Sequence, residues 1–107
     1  MIWTVALIPE AEDELLATPA DIQAHFLHIR RLLIEFGPHQ VGMPHIKHLD
    51  GKLWEMRMKG RDGIARAVYV TQTGQRVTVL HVFTKKTQKT PRQAIATAQA
   101  RLQRLEP

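Results

Sequence analysis

Cysteine is absent from this 107-residue chain. Its absence excludes disulfides, thiolate metal ligands and a cysteine nucleophile. No apolar run of membrane-spanning length is present either. The opening segment to Ile8 is mostly apolar, but no basic leader precedes it and Pro9-Glu10 ends it. A segment that short suits neither a signal-peptide core nor a transmembrane helix, so the cytoplasm is the expected location and no membrane partner is expected. Low-complexity tracts, linkers and internal repeats are also missing. One domain over residues 1–107 is therefore expected, large enough for a modest core without covalent staples. The chain has no Gly-rich phosphate loop, no Ser-His-Asp order and no paired-carboxylate arrangement. Its Gly60-x-x-Gly63 segment reads as a hairpin turn.

What is present is an ordinary globular composition, 44% hydrophobic and 23% charged, which excludes wholesale disorder. The formal net charge of +5 is unevenly spread. Residues 1–36 carry two cations against six anions, whereas residues 37–107 carry thirteen cations against four anions. A basic carboxyl-terminal part points to a polyanionic partner, most often nucleic acid, unless it is merely a solvated surface.

The stretch from Gly51 to Pro91 organises the rest. Leu53 to Lys59, Ile64 to Thr71 and Arg76 to Thr84 have strand character. The short glycine-containing segments 60–63 and 72–75 suit hairpin turns between them, which predicts an antiparallel meander. Upstream, Ile2 to Ile8 is β-branched with little polar alternation, so a central, well-covered strand is expected. Pro9 suits a first helical position, with Glu10, Glu12, Asp13 and Glu14 complementing the helix dipole. Thr18-Pro19 starts a second helix, with Thr18 as N-cap. Ile22, Phe26, Ile29, Leu33 and Phe36 form its buried stripe, and Gly37-Pro38 ends it. Residues 37–50 are turn-rich and basic, and a further strand can begin within Ile46 to Leu49. Thr90, Pro91 and Gln93 form a capping box for a last helix striped by Ile95, Ala98, Leu102 and Leu105. The order β-α-α-β-β-β-α defines an α+β domain: an antiparallel sheet with a helical hairpin and a carboxyl-terminal helix.

Alternation within the meander sets Trp54, Met56 and Met58 on one side and Glu55, Arg57 and Lys59 on the other. Arg57, Arg66, His81, Lys85 and Lys86 come from three neighbouring strands and the exit of the last. Together they make a cationic patch, where an anion such as a phosphate relieves the mutual repulsion. Phe83 falls among them and is placed to stack a base. The plain alternative is that Arg57 pairs with Glu55 or Asp62 and the other cations are solvated. His81 is either a packed strand residue or, on a polar face, a general acid or base. The pairs His25-x-x-His28 and His45-x-x-His48 have metal-compatible spacing. No carboxylate or cysteine set completes either, so neither a metal nor another cofactor is expected.

Several of these residues carry a family resemblance. Lys47-x-Leu49-x-Gly51, Leu53-Trp54-Glu55-Met56-Arg57, Ala65-Arg66-Ala67-x-Tyr69, Leu80-His81-Val82-Phe83-x-Lys85-Lys86-Thr87, Thr90-Pro91 and Ala98-x-x-Arg101 resemble the HigB-like, phage-derived branch of the RelE/ParE toxin superfamily. The most specific part is Phe83-x-Lys85-Lys86-Thr87 ahead of Thr90-Pro91.

The resemblance implies a RelE-like fold and the toxin half of a type II toxin–antitoxin pair. It implies a metal-independent endoribonuclease that cleaves mRNA, often on the translating ribosome, and so inhibits translation. A small helix-turn-helix antitoxin and a toxin–antitoxin hetero-oligomer are implied as well. On that basis Arg57, Arg66, His81 and Lys85 are the candidate catalytic residues. Lys47, Lys52, Lys59, Tyr69, Phe83, Lys86 and Lys89 are the candidate RNA-binding residues. Arg57 and Arg66 would hold the phosphate, Lys85 or Lys86 would offset developing charge, and Phe83 or Tyr69 would stack a base. Unlike RelE, this chain has no tyrosine near its carboxyl terminus. Two other readings use the same patch: a non-catalytic nucleic-acid-binding module, and an inactive prophage remnant that still binds its antitoxin.

Overall fold

The computed structural model describes residues 2–42, 45–85 and 89–105. Strand β1 (Thr4–Leu7) leads into helices α1 (Pro9–Leu16) and α2 (Ala20–Phe36). A single helical turn, α3 (Pro38–Val41), is followed by β2 (Ile46–Asp50), β3 (Leu53–Gly60), β4 (Gly63–Gln72), β5 (Arg76–Lys85) and α4 (Arg92–Leu105). The expected α+β order is present, enlarged by α3 and by β2 as a strand in its own right. One five-stranded sheet has the order β1-β5-β4-β3-β2. Strands β2 to β5 form an antiparallel meander, and β1 adds to β5 in parallel.

Both hairpin turns fall where glycine anticipated them. Gly60 pairs with Gly63 across Arg61-Asp62, and the β4–β5 turn takes positive φ at Gly74 (88°) and Gln75 (58°). The β4–β5 register slips between Val68, which faces His81, and Tyr69, which faces Val79. Leu80 is thus the extra residue of a bulge.

β1 is an edge strand, not the central one its composition suggested. Its apolar run is only partly covered: Val5 is in the core and Trp3 and Leu7 lie against it, while Ile2 and Ala6 are exposed. The central strand is β4, where Ala65 to Val70 are all buried. Its irregular alternation now has a cause, because both of its faces are covered.

Strand register assigns the faces. Trp54, Met56, Met58, Ala65, Ala67 and Tyr69 share one, against which α2 buries Ile22, Phe26, Ile29 and Leu33. Glu55, Arg57, Arg66, Val68, His81 and Phe83 share the other, partly covered by α4 through Ala94 and Ala98. Two expected caps are used differently. The Thr18 hydroxyl donates to Leu15 O (2.6 Å), closing α1, and Pro19 is the N-cap of α2. The Thr90 hydroxyl donates to Glu55 instead of capping α4.

Helix α2 approaches the end of β3 very closely. A Cβ at Gly60 would lie 2.7 Å from Ile22 Cγ1 and 2.9 Å from Asp21 Oδ1, and that carboxylate is held by the Arg61 and Ile22 amides. Gly63, its cross-strand partner, has open space around it. Gly60→Ala is expected to destabilise the fold by about 1–3 kcal/mol through overpacking, and Gly63→Ala by only a few tenths. Urea unfolding of the two variants checks the difference.

Candidate nucleic-acid interface

The polar face of the sheet sets two guanidinium groups side by side, because Arg57 on β3 pairs directly with Arg66 on β4. Like charges at such positions repel. The fold neutralises one of them. Arg66 (3% exposed) forms an ion pair through Nη1 with Glu55 Oε1 (1% exposed) at 2.5 Å. The other carboxylate oxygen, Oε2, accepts the Thr90 hydroxyl at 2.6 Å. Arg66 is thereby committed to the interior and is not presented to a phosphate.

Arg57 is left over. It is half-buried and has no carboxylate partner among the described residues, which sets it apart from Arg66; the Nε atoms of both are buried without a hydrogen-bond partner there. Glu55, named as its plain alternative partner, is taken by Arg66. Next to Arg66 across β5 stands Phe83, half-buried, its ring 5.1 Å from that of His81 and inclined by 25°.

His81 is oriented from outside the sheet. Its Nδ1 lies 3.0 Å from Glu14 Oε1. The same carboxylate accepts the Val82 amide at 3.0 Å and both terminal nitrogens of Arg101, at 2.9 and 3.1 Å. Arg101 Nη1 also donates to Leu80 O at 2.9 Å and approaches His81 Nδ1 at 3.3 Å. With a carboxylate facing Nδ1, we assign the proton of the neutral ring to Nδ1, which leaves Nε2 with a free lone pair. At Glu14 burial pushes the carboxyl upward, but donation by Arg101, the Val82 amide and His81 outweighs it and holds the group below its ordinary value.

Neither Glu14 nor Arg101 was singled out as a site residue from sequence, and one signal was available. Glu14 falls among the acids expected to complement the amino-terminal dipole, but α1 is only eight residues long and Glu14 sits in its last turn, where the dipole disfavours an anion. An acid in that position needs a cation from elsewhere in the fold.

The other candidates are distributed as follows. Lys85 ends β5, paired through its backbone with Ile64; its side chain and Lys86 lie outside the described residues. Lys59 is exposed at the end of β3, Lys47 on edge strand β2, Lys52 in the β2–β3 turn, and Lys89 ahead of α4. Tyr69 is not brought to this patch. It is fully buried on the opposite face, where burial raises its phenol far above the ordinary value.

The two histidine pairs rearrange in space. His25, His28 and His45 cluster with ring centroids 5.5–6.3 Å apart, while His48 turns to Gly51 O at 2.8 Å. His25 Nδ1 accepts the Lys59 amide at 2.7 Å, so the neutral ring carries its proton on Nε2 and offers no lone pair to a metal. Burial, then the neighbouring His45, His28 and Lys59, push His25 below the ordinary imidazole value. Among the described residues no group of three suitable side chains could hold a metal ion.

Known proteins were compared with this arrangement. The family described as phage derived protein Gp49-like matches residues 13–103. Among solved structures, the chain is similar to one in the archaeal RelE-RelB complex from Pyrococcus horikoshii OT3. The two share 20% identity with a TM-score of 0.59, over 78% of this chain and 96% of that chain. The likeness shows a RelE-type fold. No curated protein matches the chain. Among the described residues, no helix is long and apolar enough to cross a membrane.

Two measurements test the energetics of this face. Glu55→Gln leaves Arg66 buried without its counter-charge and is expected to cost about 3–5 kcal/mol in urea unfolding. The double replacement Glu55→Met with Arg66→Met should cost less than that single change. Glu14 has a depressed folded-state pKa, so its contribution to stability is present above the unfolded value and is lost as pH falls through the folded one. Between pH 5 and 3, Glu14→Gln should therefore lose less stability than the wild type does.

Proposed function

We propose that this chain, which belongs to the phage-derived Gp49-like family, is the toxin of a type II toxin–antitoxin pair and cleaves mRNA. The observation that carries the chemistry is the unneutralised Arg57, directly opposite an arginine whose charge is already satisfied. A half-buried cation of that kind gains most from a bound anion, and a planar guanidinium suits a phosphodiester. Phe83, on the far side of Arg66 from Arg57, offers a ring to a flanking base, and Lys47, Lys52, Lys59, Lys86 and Lys89 supply charge for the RNA backbone.

RNA carries its own nucleophile. The 2′-oxygen attacks the adjacent phosphorus, the 2′-O–P bond forms and the P–O5′ bond breaks, giving a 2′,3′-cyclic phosphate and a 5′-hydroxyl. In this proposal His81 Nε2 takes the 2′-hydroxyl proton, with Glu14 holding the ring and stabilising the imidazolium. Arg57 holds the phosphate and offsets the charge that builds on its oxygens. Lys85 or Lys86 donates the proton that turns the leaving 5′-oxygen into a hydroxyl. Arg66, assigned to the phosphate on sequence grounds, becomes a positioning residue that fixes Glu55 and Thr90 behind Arg57.

The partner is proposed by the same route. The solved relative is in complex with RelB, and an antitoxin carrying a helix-turn-helix domain is proposed for this chain. The site of action is cytoplasmic mRNA, on translating ribosomes.

Controlled induction tests the proposal. Wild-type protein should arrest growth and generate new 5′ ends in translated messages. Arg57→Ala, which leaves the Glu55–Arg66 pair intact, should stay folded and lose cleavage by about a hundredfold or more. Unhindered growth with intact messages, beside soluble folded wild-type protein, would overturn the ribonuclease reading in favour of a binding module or an inactive remnant.

A further inference from the structure

A second concavity lies on the other face of the sheet, where α3 meets the β2 edge. It has a volume of about 380 Å³, and its walls include Ile46, Trp54, Tyr69, His39, His48 and Lys47. The candidate interface on the polar face contributes no side chain to it apart from Lys47 and Tyr69, the latter expected there but found on this side.

Three features define what this cavity fits. The first is an aromatic wall: Trp54 and Tyr69 are cross-strand partners, and the His48 ring meets Trp54 edge-on at 4.9 Å. The second is an orphan polar atom in that wall. The Tyr69 hydroxyl is buried with no hydrogen-bond partner among the described residues, a destabilising condition that a ligand relieves only if the wall shifts to uncover this 0%-exposed residue. The third is an imidazole rim, since His39 and His48 border the cavity and are exposed. A flat apolar surface, one interior polar group and imidazoles at the mouth suit a nucleotide: a base to stack, an edge to pair and a phosphate to take ring N–H bonds. The volume lies near the lower end of small-molecule sites, which run from about 300 to 1,000 Å³, and suits one nucleotide better than an extended ligand.

The edge strand joins this cavity to the polar face. Lys47 pairs with Glu55 and so belongs to the side that carries Arg57, whereas His48 pairs with Trp54 and belongs to the cavity side. Consecutive basic residues thus face both ways across an open sheet edge.

We propose that the cavity holds one nucleobase of the RNA strand, outside the cleaved step, after the strand crosses the β2 edge. It would act as a subsite for base preference. This inference rests on reading the chain as an RNA-binding protein, but nucleotide binding in the cavity is measurable without any cleavage.

The experiment titrates AMP, GMP, CMP and UMP into 15N-labelled wild-type protein and follows the two tryptophan indole N–H signals. At least one nucleotide should move Trp54 and leave Trp3 in place. Tyr69→Phe should weaken that binding about tenfold while raising the melting temperature of the free protein, because it removes the orphan hydroxyl. His39→Ala, a surface change that spares the fold, should weaken binding of the nucleotide more than of the uncharged nucleoside. No shift of Trp54 with any nucleotide at millimolar concentration would overturn the proposal, as would shifts that Tyr69→Phe leaves unchanged. Nucleotide binding without RNA cleavage would leave this inference standing and remove the ribonuclease reading. Cleavage of RNA unaffected by both cavity variants would do the reverse.

Discussion

The buried contact among Arg66, Glu55 and Thr90 is the constraint on which the polar half of the molecule depends. It ties β4 to β3 and both to the start of α4. Burying a guanidinium and a carboxylate costs several kcal/mol for each ion unless their geometry and remaining hydrogen bonds are good. The third member therefore matters. Thr90 occupies the second carboxylate oxygen, and to do so it gives up the helix-capping role its position suggests. The carboxyl-terminal helix is thus registered against the sheet by a polar contact as well as by Ala94 and Ala98.

That contact also decides which cation is available. Two arginines stand opposite each other, and one carboxylate serves only one of them. Satisfying Arg66 leaves Arg57 at the border of the covered area with no carboxylate partner among the described residues. A second carboxylate, Glu14, orients His81 from the edge of β5, with Arg101 of α4 holding it in place. Structural ion pairs on this face have a functional consequence under the proposed mechanism, because they fix the tautomer of His81 and the isolation of Arg57.

The two faces of the sheet then divide the work by packing. Helix α2 fills one face so closely that Gly60 can carry no side chain. It stops at Gly37, whose positive φ of 81° and contact with the Trp3 ring leave no room for a Cβ. Beyond that stop, α3 and the β2 edge wall the cavity that Tyr69 borders. The inactive-remnant reading drawn from the sequence concerns the polar face, so the nucleotide recognition proposed for this cavity is separable from the proposed catalysis.

Periodicity and turn chemistry determined the element order, both hairpin turns and the buried stripe of α2 except for Phe36, which is 49% exposed at the helix end, because these are local properties that neighbouring residues dictate. The residues quoted for the RelE-like resemblance likewise anticipated the family and the fold. Alternation along β3 and β5 placed Arg57, His81 and Phe83 on one face correctly, since a period of two needs no partner strand to be read. Tertiary structure alone decided the rest. The apolar run of β1 reads the same whether strands or helices cover it, so its edge position was not legible. Arg57 and Arg66 look equivalent in sequence; only the cross-strand register and the arrival of Thr90 show that one is spent and the other free. Glu14, His81 and Arg101 are separated by 67 and 20 residues. No local pattern joins three side chains from two helices and a strand, because their meeting depends on how the whole chain packs.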